Sequence, residues 1–451
     1  MIFGTDGVRD IGGEGLLSPD SVDRFGSAIL QHLQREGIAS PRILIGRDTR
    51  ESGPEIELQL TRSLNRGSVE TLHAGVVPTP ALSVLLAAGH ADLGLMISAS
   101  HNPPEFNGIK VLDHRGEKLS KESEKSISED HAAALPLTGE YPTVSDDSKW
   151  GEIYLNALLS SFPEGPFLRG LEVVLDLARG SACLWAPEAF RRAGAKVHLL
   201  HAEPDGARIN VGCGSLHPKV LADEVIQRGA DLGVAFDGDA DRALFCDHAG
   251  RSLDGDDVMA LWALDLKSRD ALKPEIVALT VMSNMGVEKY LAEQGIEVLR
   301  TPVGDREVAN ALRESGGVLG GETSGHIIHR SEAATGDGIR TGLAVCRCLA
   351  DSGQTLAEHG DKFQRFPLQQ RTVRIENRPD FDSLTILQAA LKEAEEQLDG
   401  DGRLVVRFSG TEPLLRILVE AVTEESAHYW VEKILEAACQ EESLGSITVV
   451  A

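Results

Sequence analysis

The sequence predicts an α/β protein with a distinct, smaller α+β module at its C-terminus. Two observations predict this. Short apolar runs alternate with helix-length amphipathic stretches over most of the chain. The last segment then changes rhythm: a helix, two strands flanking a tight loop, and a closing helix. The chain has 451 residues, enough for about three domains at roughly 150 residues each.

The elements follow in order. Strands are expected at Ile43–Ile45, Leu93–Ile97, Glu172–Leu175, Leu232–Phe236, Glu275–Leu279 and Leu404–Phe408. Pro218 to Arg228 reads as a helix, with Val220, Leu221, Val225 and Ile226 at helical spacing and Gly229 as its stop. Further helices are expected at about 384–398 and 424–438. The run 137–147, rich in Thr, Pro, Gly, Ser and Asp, reads as a linker. Other boundaries are expected near 250–257 and 364–370. The resulting domains are 1–145, 146–252, 253–366 and 367–451. No short-period sequence repeat stands out, yet three segments share strand–helix alternation, which leaves room for structural repetition.

Composition narrows the function. Forty-four basic against seventy acidic residues give a net charge of −26, which disfavours nucleic acid and anionic membranes as partners. Aromatics at 4% disfavour a base-stacking platform. The apolar run 81–89 is too short to span a bilayer, and MIFGTDGVRD shows no secretory signal. Six cysteines without CxxC or zinc spacing read as free thiols in a reducing cytoplasm.

Four loops can carry chemistry. The first, 97–110, leaves an apolar strand and presents Ser98, Ser100, His101, Asn102 and Lys110. Alone it fits a nucleophile or a turn with solvated hydroxyls. The second holds Asp237, Asp239 and Asp241, followed by Arg242. In extended chain the three carboxylates point one way, which calls for a hard cation such as Mg²⁺. The other readings are an acidic turn or a calcium loop, although His248 stands where an EF-hand needs glutamate. Arg242 implies an anion, most simply phosphate. The third, Gly320 to Ile328, exposes Glu322, Ser324 and His326, suited to sugar hydroxyls and proton movement, or to a plain hairpin. In the fourth, Arg407 and Arg416 flank Ser409, Gly410 and Thr411, whose N–H groups can form an anion nest. A surface Arg–Glu pair is its alternative. Four such loops in one acidic chain point together to an anionic small substrate.

At these loops the sequence resembles the α-D-phosphohexomutase superfamily. Phe3-Gly-Thr-Asp-Gly-Val-Arg9, Met282-Ser-Asn-Met-Gly286, Val303-Gly-Asp-Arg306 and Thr335-Gly-Asp-Gly-Ile339 extend the match along the chain. The second and third of these favour its glucosamine branch. The resemblance implies three related α/β domains with mixed sheets plus a smaller C-terminal α+β domain around a central cleft. It also implies interconversion of glucosamine 6-phosphate and glucosamine 1-phosphate, feeding UDP-N-acetylglucosamine.

By the same resemblance Ser100 carries the phosphoryl group and, with Asp237, Asp239 and Asp241, holds one Mg²⁺. Arg242 offsets charge, and Arg9 positions the sugar or phosphoserine. His101 and Lys110 are acid/base candidates; to act as a base near neutrality Lys110 would need a lowered pKa. Glu322, Ser324 and His326 read the sugar. Arg407, Ser409, Gly410, Thr411 and Arg416 hold the phosphate that is not reacting. Glucose or glucosamine 1,6-bisphosphate is the expected primer, and a monomer or homodimer the expected assembly. The competing readings are a phosphoglucomutase or phosphomannomutase, a silent sugar-phosphate sensor, and a metal-dependent phosphatase. Two departures from the pattern stand out. Asp10 replaces a glycine and is placed to pair with Arg9 or alter the loop. Asp176-Leu-Ala-Arg-Gly-Ser-Ala182 departs from the usual run, with little effect expected.

Overall fold

The apolar runs form inner strands of three sheets and an edge strand of a fourth in a computed structural model, which describes residues 1–4, 6–67, 69–135, 142–409 and 412–450. The chain divides into two compact units. One comprises Met1–Thr280 and Ile296–Asp361; the other comprises Val281–Gly295 and Lys362–Ala451.

The first unit contains three sheets. The first is built from β1 (Val8–Ile11), β2 (Arg42–Arg47), β3 (Glu70–Val76), β4 (Leu93–Ile97) and β5 (Phe106–Asp113), in the order β1-β5-β4-β2-β3. The second uses β6 (Glu172–Asp176), β7 (Lys196–Leu200), β8 (Leu232–Phe236), β9 (Ala243–Asp247) and β10 (Ser252–Leu253), in the order β10-β9-β8-β6-β7. The third uses β11 (Ile276–Thr280), β12 (Glu297–Thr301), β13 (Leu319–Gly321) and β14 (Ile327–His329), in the order β12-β11-β13-β14.

These three sheets repeat one pattern. In each, three strands run parallel and a fourth pairs antiparallel: β5 on β4, β9 on β8, β14 on β13. The sheets are therefore mixed, and the structural repetition left open by the sequence is present. β4 and β8 are buried at every position, which explains their unbroken apolar runs. The helix over Pro218–Arg228 ends at Gly229, whose φ of 65° suits the left-handed cap.

The second unit holds a sheet of β15 (Leu368–Arg374), β16 (Gly402–Phe408), β17 (Leu414–Ala421) and β18 (Thr448–Val449), antiparallel throughout in the order β16-β17-β15-β18. Helices Thr385–Leu398 and Glu424–Cys439 pack on it through Leu387, Ala394, Val431 and Ile434. Segment 281–295 joins this unit through buried Glu420, which accepts from Asn284 Nδ2 (3.0 Å) and Arg403 Nη2 (2.7 Å).

Of the expected linker, residues 137–141 lie outside the described residues, and 142–147 form no regular element. Residues 252–253, at the second expected boundary, form β10 on the edge of the second sheet. Among the described residues no helix is long and apolar enough to cross a membrane.

Candidate active site

The repeat explains how three candidate loops come together. The serine loop joins β4 to β5, the aspartate loop joins β8 to β9, and the Glu322 loop joins β13 to β14. They are the same connection in three copies of one unit.

Ser100 is buried and non-glycine, yet has a φ of 54°. Such a left-handed serine is uncommon and needs support from its surroundings. Its N–H donates to Ser98 Oγ at 2.8 Å, and its hydroxyl donates to Asp237 Oδ2 at 2.6 Å. His101 Nδ1 lies 3.3 Å from Ser100 Oγ. Burial, then the charges of Arg242 and Arg9, lower the His101 pKa to about 4, so the imidazole is neutral at neutral pH.

Asp237, Asp239 and Asp241 do converge, with one oxygen from each within 4.8 Å of the others. The cause differs from the expected extended chain. The loop turns instead: Ala240 N–H donates to Asp237 O at 3.1 Å, and Ala240 has a φ of 54°. Burial and then Asp241 and Asp239 push the Asp237 carboxyl well above the usual range. Asp239 is also desolvated, but Lys110 and a Thr79 hydrogen bond bring it down to about 2. The three buried acids thus share one charge problem. Asp239 Oδ1 and Asp241 Oδ1 are buried without a hydrogen-bond partner. Orphaned hard oxygens of this kind fit a cation such as Mg²⁺.

Lys110 lies 2.8 Å from Asp239 Oδ2, 3.0 Å from Asp241 Oδ2 and 3.2 Å from Asp6 Oδ2. Burial opposes its charge, but these carboxylates hold its pKa well above the ordinary value. That is the reverse of the lowered pKa a general base needs, and it leaves Lys110 a charged proton donor. Arg242 is likewise desolvated and likewise kept charged, chiefly by Asp237 and Asp241, then Glu322.

Arg9 pairs with Asp6 at 2.6 Å, and its Nη1 lies 3.4 Å from Asn102 Oδ1. Asp10 does not pair with Arg9. Successive residues of β1 face opposite ways, and Asp10 instead accepts from the N–H groups of Ile11 and Leu16, each at 2.8 Å. The turn after Asp176 packs against the aspartate loop, where Ser181 N–H donates to Gly238 O at 2.9 Å. A Cβ on Gly180 would stand 2.3 Å from Gly238 O in the aspartate loop.

The Glu322 loop is a hairpin connection, and it lies against the aspartate loop. Arg242 and His326 form an antiparallel bridge, and Ala243 N–H donates to Gly325 O at 3.1 Å. Glu322 Oε1 accepts from Gly304 N–H at 3.1 Å, and Ser324 Oγ is buried without a partner. His326 is buried, and its Nε2 accepts from Gly336 N–H at 3.2 Å. That bond occupies Nε2 as an acceptor, while His326 Nδ1 is buried without a hydrogen-bond partner.

In the second unit, Arg407 and Arg416 are direct cross-strand partners. Like charges so placed repel unless an anion joins them. Arg416 also pairs with Glu412 at 3.4 Å, the surface pair expected as the alternative. The expected nest needs correction at Ser409, whose N–H donates to Leu414 O at 2.8 Å and closes the hairpin. Gly410 and Thr411 lie outside the described residues.

The sequence reading missed Asp6, Thr79, Arg50, Asn210, Lys118 and Asp305. Asp6 stood inside a motif already singled out. Lys118 pairs with both Asp6 and Asp305, which links the first sheet's elements to the third's. Thr79 and Arg50 each follow a strand end, the signal that could have found them.

Comparison with known proteins agrees with this geometry. Models for phosphoglucomutase/phosphomannomutase alpha/beta/alpha domains I, II and III match residues 1–135, 153–250 and 254–366, and the C-terminal domain matches 372–437. A phosphoglucosamine mutase of Cereibacter sphaeroides is 41% identical over 441 residues, covering 97% of this chain and 98% of that protein. The chain belongs to the phosphoglucosamine mutase family. Its fold is that of the phosphohexomutases. A phosphoglucomutase/phosphomannomutase family protein from Burkholderia thailandensis superposes with a TM-score of 0.83 at 24% identity, covering 99% of this chain and 98% of that one. The Aspergillus fumigatus N-acetylphosphoglucosamine mutase, solved with GlcNAc-6P and magnesium, gives 0.65 at 18% identity, covering 98% and 96%. The fold is thus shared with these solved structures along nearly the whole chain.

Proposed function

We propose that the chain interconverts glucosamine 6-phosphate and glucosamine 1-phosphate through a phosphoserine at Ser100. The observation that carries the reading is the Ser100 hydroxyl, held 2.6 Å from Asp237 beside three buried, mutually repelling carboxylates. The name of the 41% identical relatives supplies the amino sugar.

Asp237, Asp239, Asp241 and an oxygen on Ser100 would hold one Mg²⁺. When bound, the cation offsets the charge of the phosphoryl group being transferred. Arg242 adds fixed donors beside it, and Arg9 positions the sugar or the phosphoserine. Neutral His101, with Nδ1 3.3 Å from Ser100 Oγ, is a candidate to hold or move a proton there. Glu322 and Ser324 take sugar hydroxyls. Arg407 and Arg416, with Ser409, Gly410 and Thr411, hold the phosphate that is not reacting, whose binding energy positions the other. Glucose or glucosamine 1,6-bisphosphate would load Ser100. The cytoplasm is the expected compartment, supported by six unpaired cysteines.

Purified protein, primed with glucose 1,6-bisphosphate, should turn over glucosamine phosphates far faster than N-acetylglucosamine, glucose or mannose phosphates. Intact mass should show one phosphate mapping to Ser100 and absent in Ser100→Ala. Normal turnover in Ser100→Ala would refute the phosphoserine, and preference for a non-amino sugar would overturn the substrate.

A further inference from the structure

The serine loop is gripped from behind by two side chains that the proposed chemistry does not use. Arg50 is 1% exposed, and all five of its N–H donors are engaged. Nε donates to Asp48 Oδ2 at 3.0 Å. Nη1 donates to the carbonyls of Pro103 and Phe106. Nη2 donates to the carbonyls of Ser100 at 2.9 Å and Asn102 at 2.8 Å. Asp48 also accepts from Ser98 Oγ at 2.6 Å, the same hydroxyl that receives the Ser100 N–H.

A second grip comes from the aspartate loop's side. Asn210 Nδ2 donates to the same two carbonyls, at 2.9 Å to Ser100 and 3.1 Å to Asn102. Gly238, beside Asp237, lies so close that a Cβ there would stand 2.6 Å from Ser100 O. The backbone groups on both sides of the Ser100 side chain are therefore fixed. The N–H is held through Ser98 and Asp48; the carbonyl is held by Arg50 and Asn210. A serine at a φ of 54° would relax without such restraint.

We propose that Arg50 and Asn210 are positioning residues that clamp the Ser100 and Asn102 carbonyls and so keep Ser100 Oγ on Asp237. The clamp rests on the phosphoserine reading above. Its physical basis is distance: a misplacement of about 1 Å at a reacting group costs about 100-fold in rate. Lysine cannot replace Arg50, because it offers three donors from a single point and no planar fork. Asn210 has a φ of 62°, so glycine removes its side chain without adding backbone strain.

The test uses the full chain as Arg50→Lys, Asn210→Gly and the double variant. Turnover of glucosamine 6-phosphate is measured with glucose 1,6-bisphosphate, together with Ser100 phosphate by intact mass and thermal melting. Arg50→Lys should lower kcat per phosphorylated, folded molecule about 100-fold, and Asn210→Gly about 10-fold, with KM changed less than about threefold. The double variant should lose less than the product of the two, because both act on the same carbonyls. A purely structural role would lower melting temperature and folded fraction but leave kcat per phosphorylated molecule intact, and that result overturns the clamp. Should Arg50→Lys fail to fold, Asn210→Gly decides alone. A wild-type protein without phosphoserine or turnover defeats the function and the clamp together. Wild-type turnover with unchanged kcat in Asn210→Gly defeats only the clamp.

Discussion

His329 shows how one side chain outside the chemistry ties stability to pH. Its ring stacks on Trp262 with centroids 5.2 Å apart, and burial, then the nearby charge of Arg340, lower its pKa from 6.5 to about 4. The unfolded chain protonates this histidine near its ordinary value, about 6.5. Between pH 6.5 and 4 the unfolded state therefore binds a proton that the folded state refuses. Its contribution is intact above pH 6.5 and is lost as pH falls toward 4, by up to about 3 kcal/mol. Urea denaturation at pH 7 and pH 4.5 should show a smaller pH-dependent loss in His329→Gln than in the wild type. An equal loss in both would place the titration elsewhere. Environment decided other residues too. Lys110 was legible as a site residue, but its charge state depends on Asp6, Asp239 and Asp241, which only folding brings to it. Asp10 was legible as a departure, while the direction it faces follows from β1 pairing with β5.

At the scale of elements, the strands and their loops were the most readable part, because a fully buried strand needs a continuous apolar run. Leu93–Ile97 and Leu232–Phe236 have the expected limits, and the loops after them bring Ser100 against Asp237. Loop conformation was less readable. The aspartates alternate in sequence as an extended strand would have them, yet a turn around Ala240 brings them together. The contact between loops was not readable at all, since nothing local announces that Gly325 faces another loop. A Cβ at Gly325 would stand 2.2 Å from Ala243 O, and the residue has a φ of 84°. Gly325→Ala should therefore destabilise the protein by more than about 1 kcal/mol and push the Glu322 loop off the aspartate loop. Thermal melting should fall, and KM for the sugar phosphate should rise more than kcat falls. A wild-type KM in folded Gly325→Ala would show that the glycine is needed for folding alone.

At the scale of the whole molecule, a linear reading divides the chain at boundaries, whereas packing joins distant segments. Met285–Glu293 groups with the C-terminal sheet although more than sixty residues separate it from Leu368, where β15 begins. The fastening is Glu420, fully buried on β17. It accepts from Asn284 Nδ2, from Met285 N–H at 3.2 Å and from Arg403 Nη2, which in turn donates to Ser283 O at 2.8 Å. The sequence marked Met282-Ser-Asn-Met-Gly286 as a family signature but gave no partner for it. Removing one member of a buried ion pair leaves the other charge uncompensated, at a cost of about 3 kcal/mol. Glu420→Ala should therefore weaken the second unit by about that amount, and hydrogen exchange should locate the loss. Exchange should quicken in Met285–Glu293 and in β17 together, with β4 and β8 unchanged. Quickening confined to β17 would show that segment 281–295 draws its stability from elsewhere, and that Glu420 serves its own sheet alone.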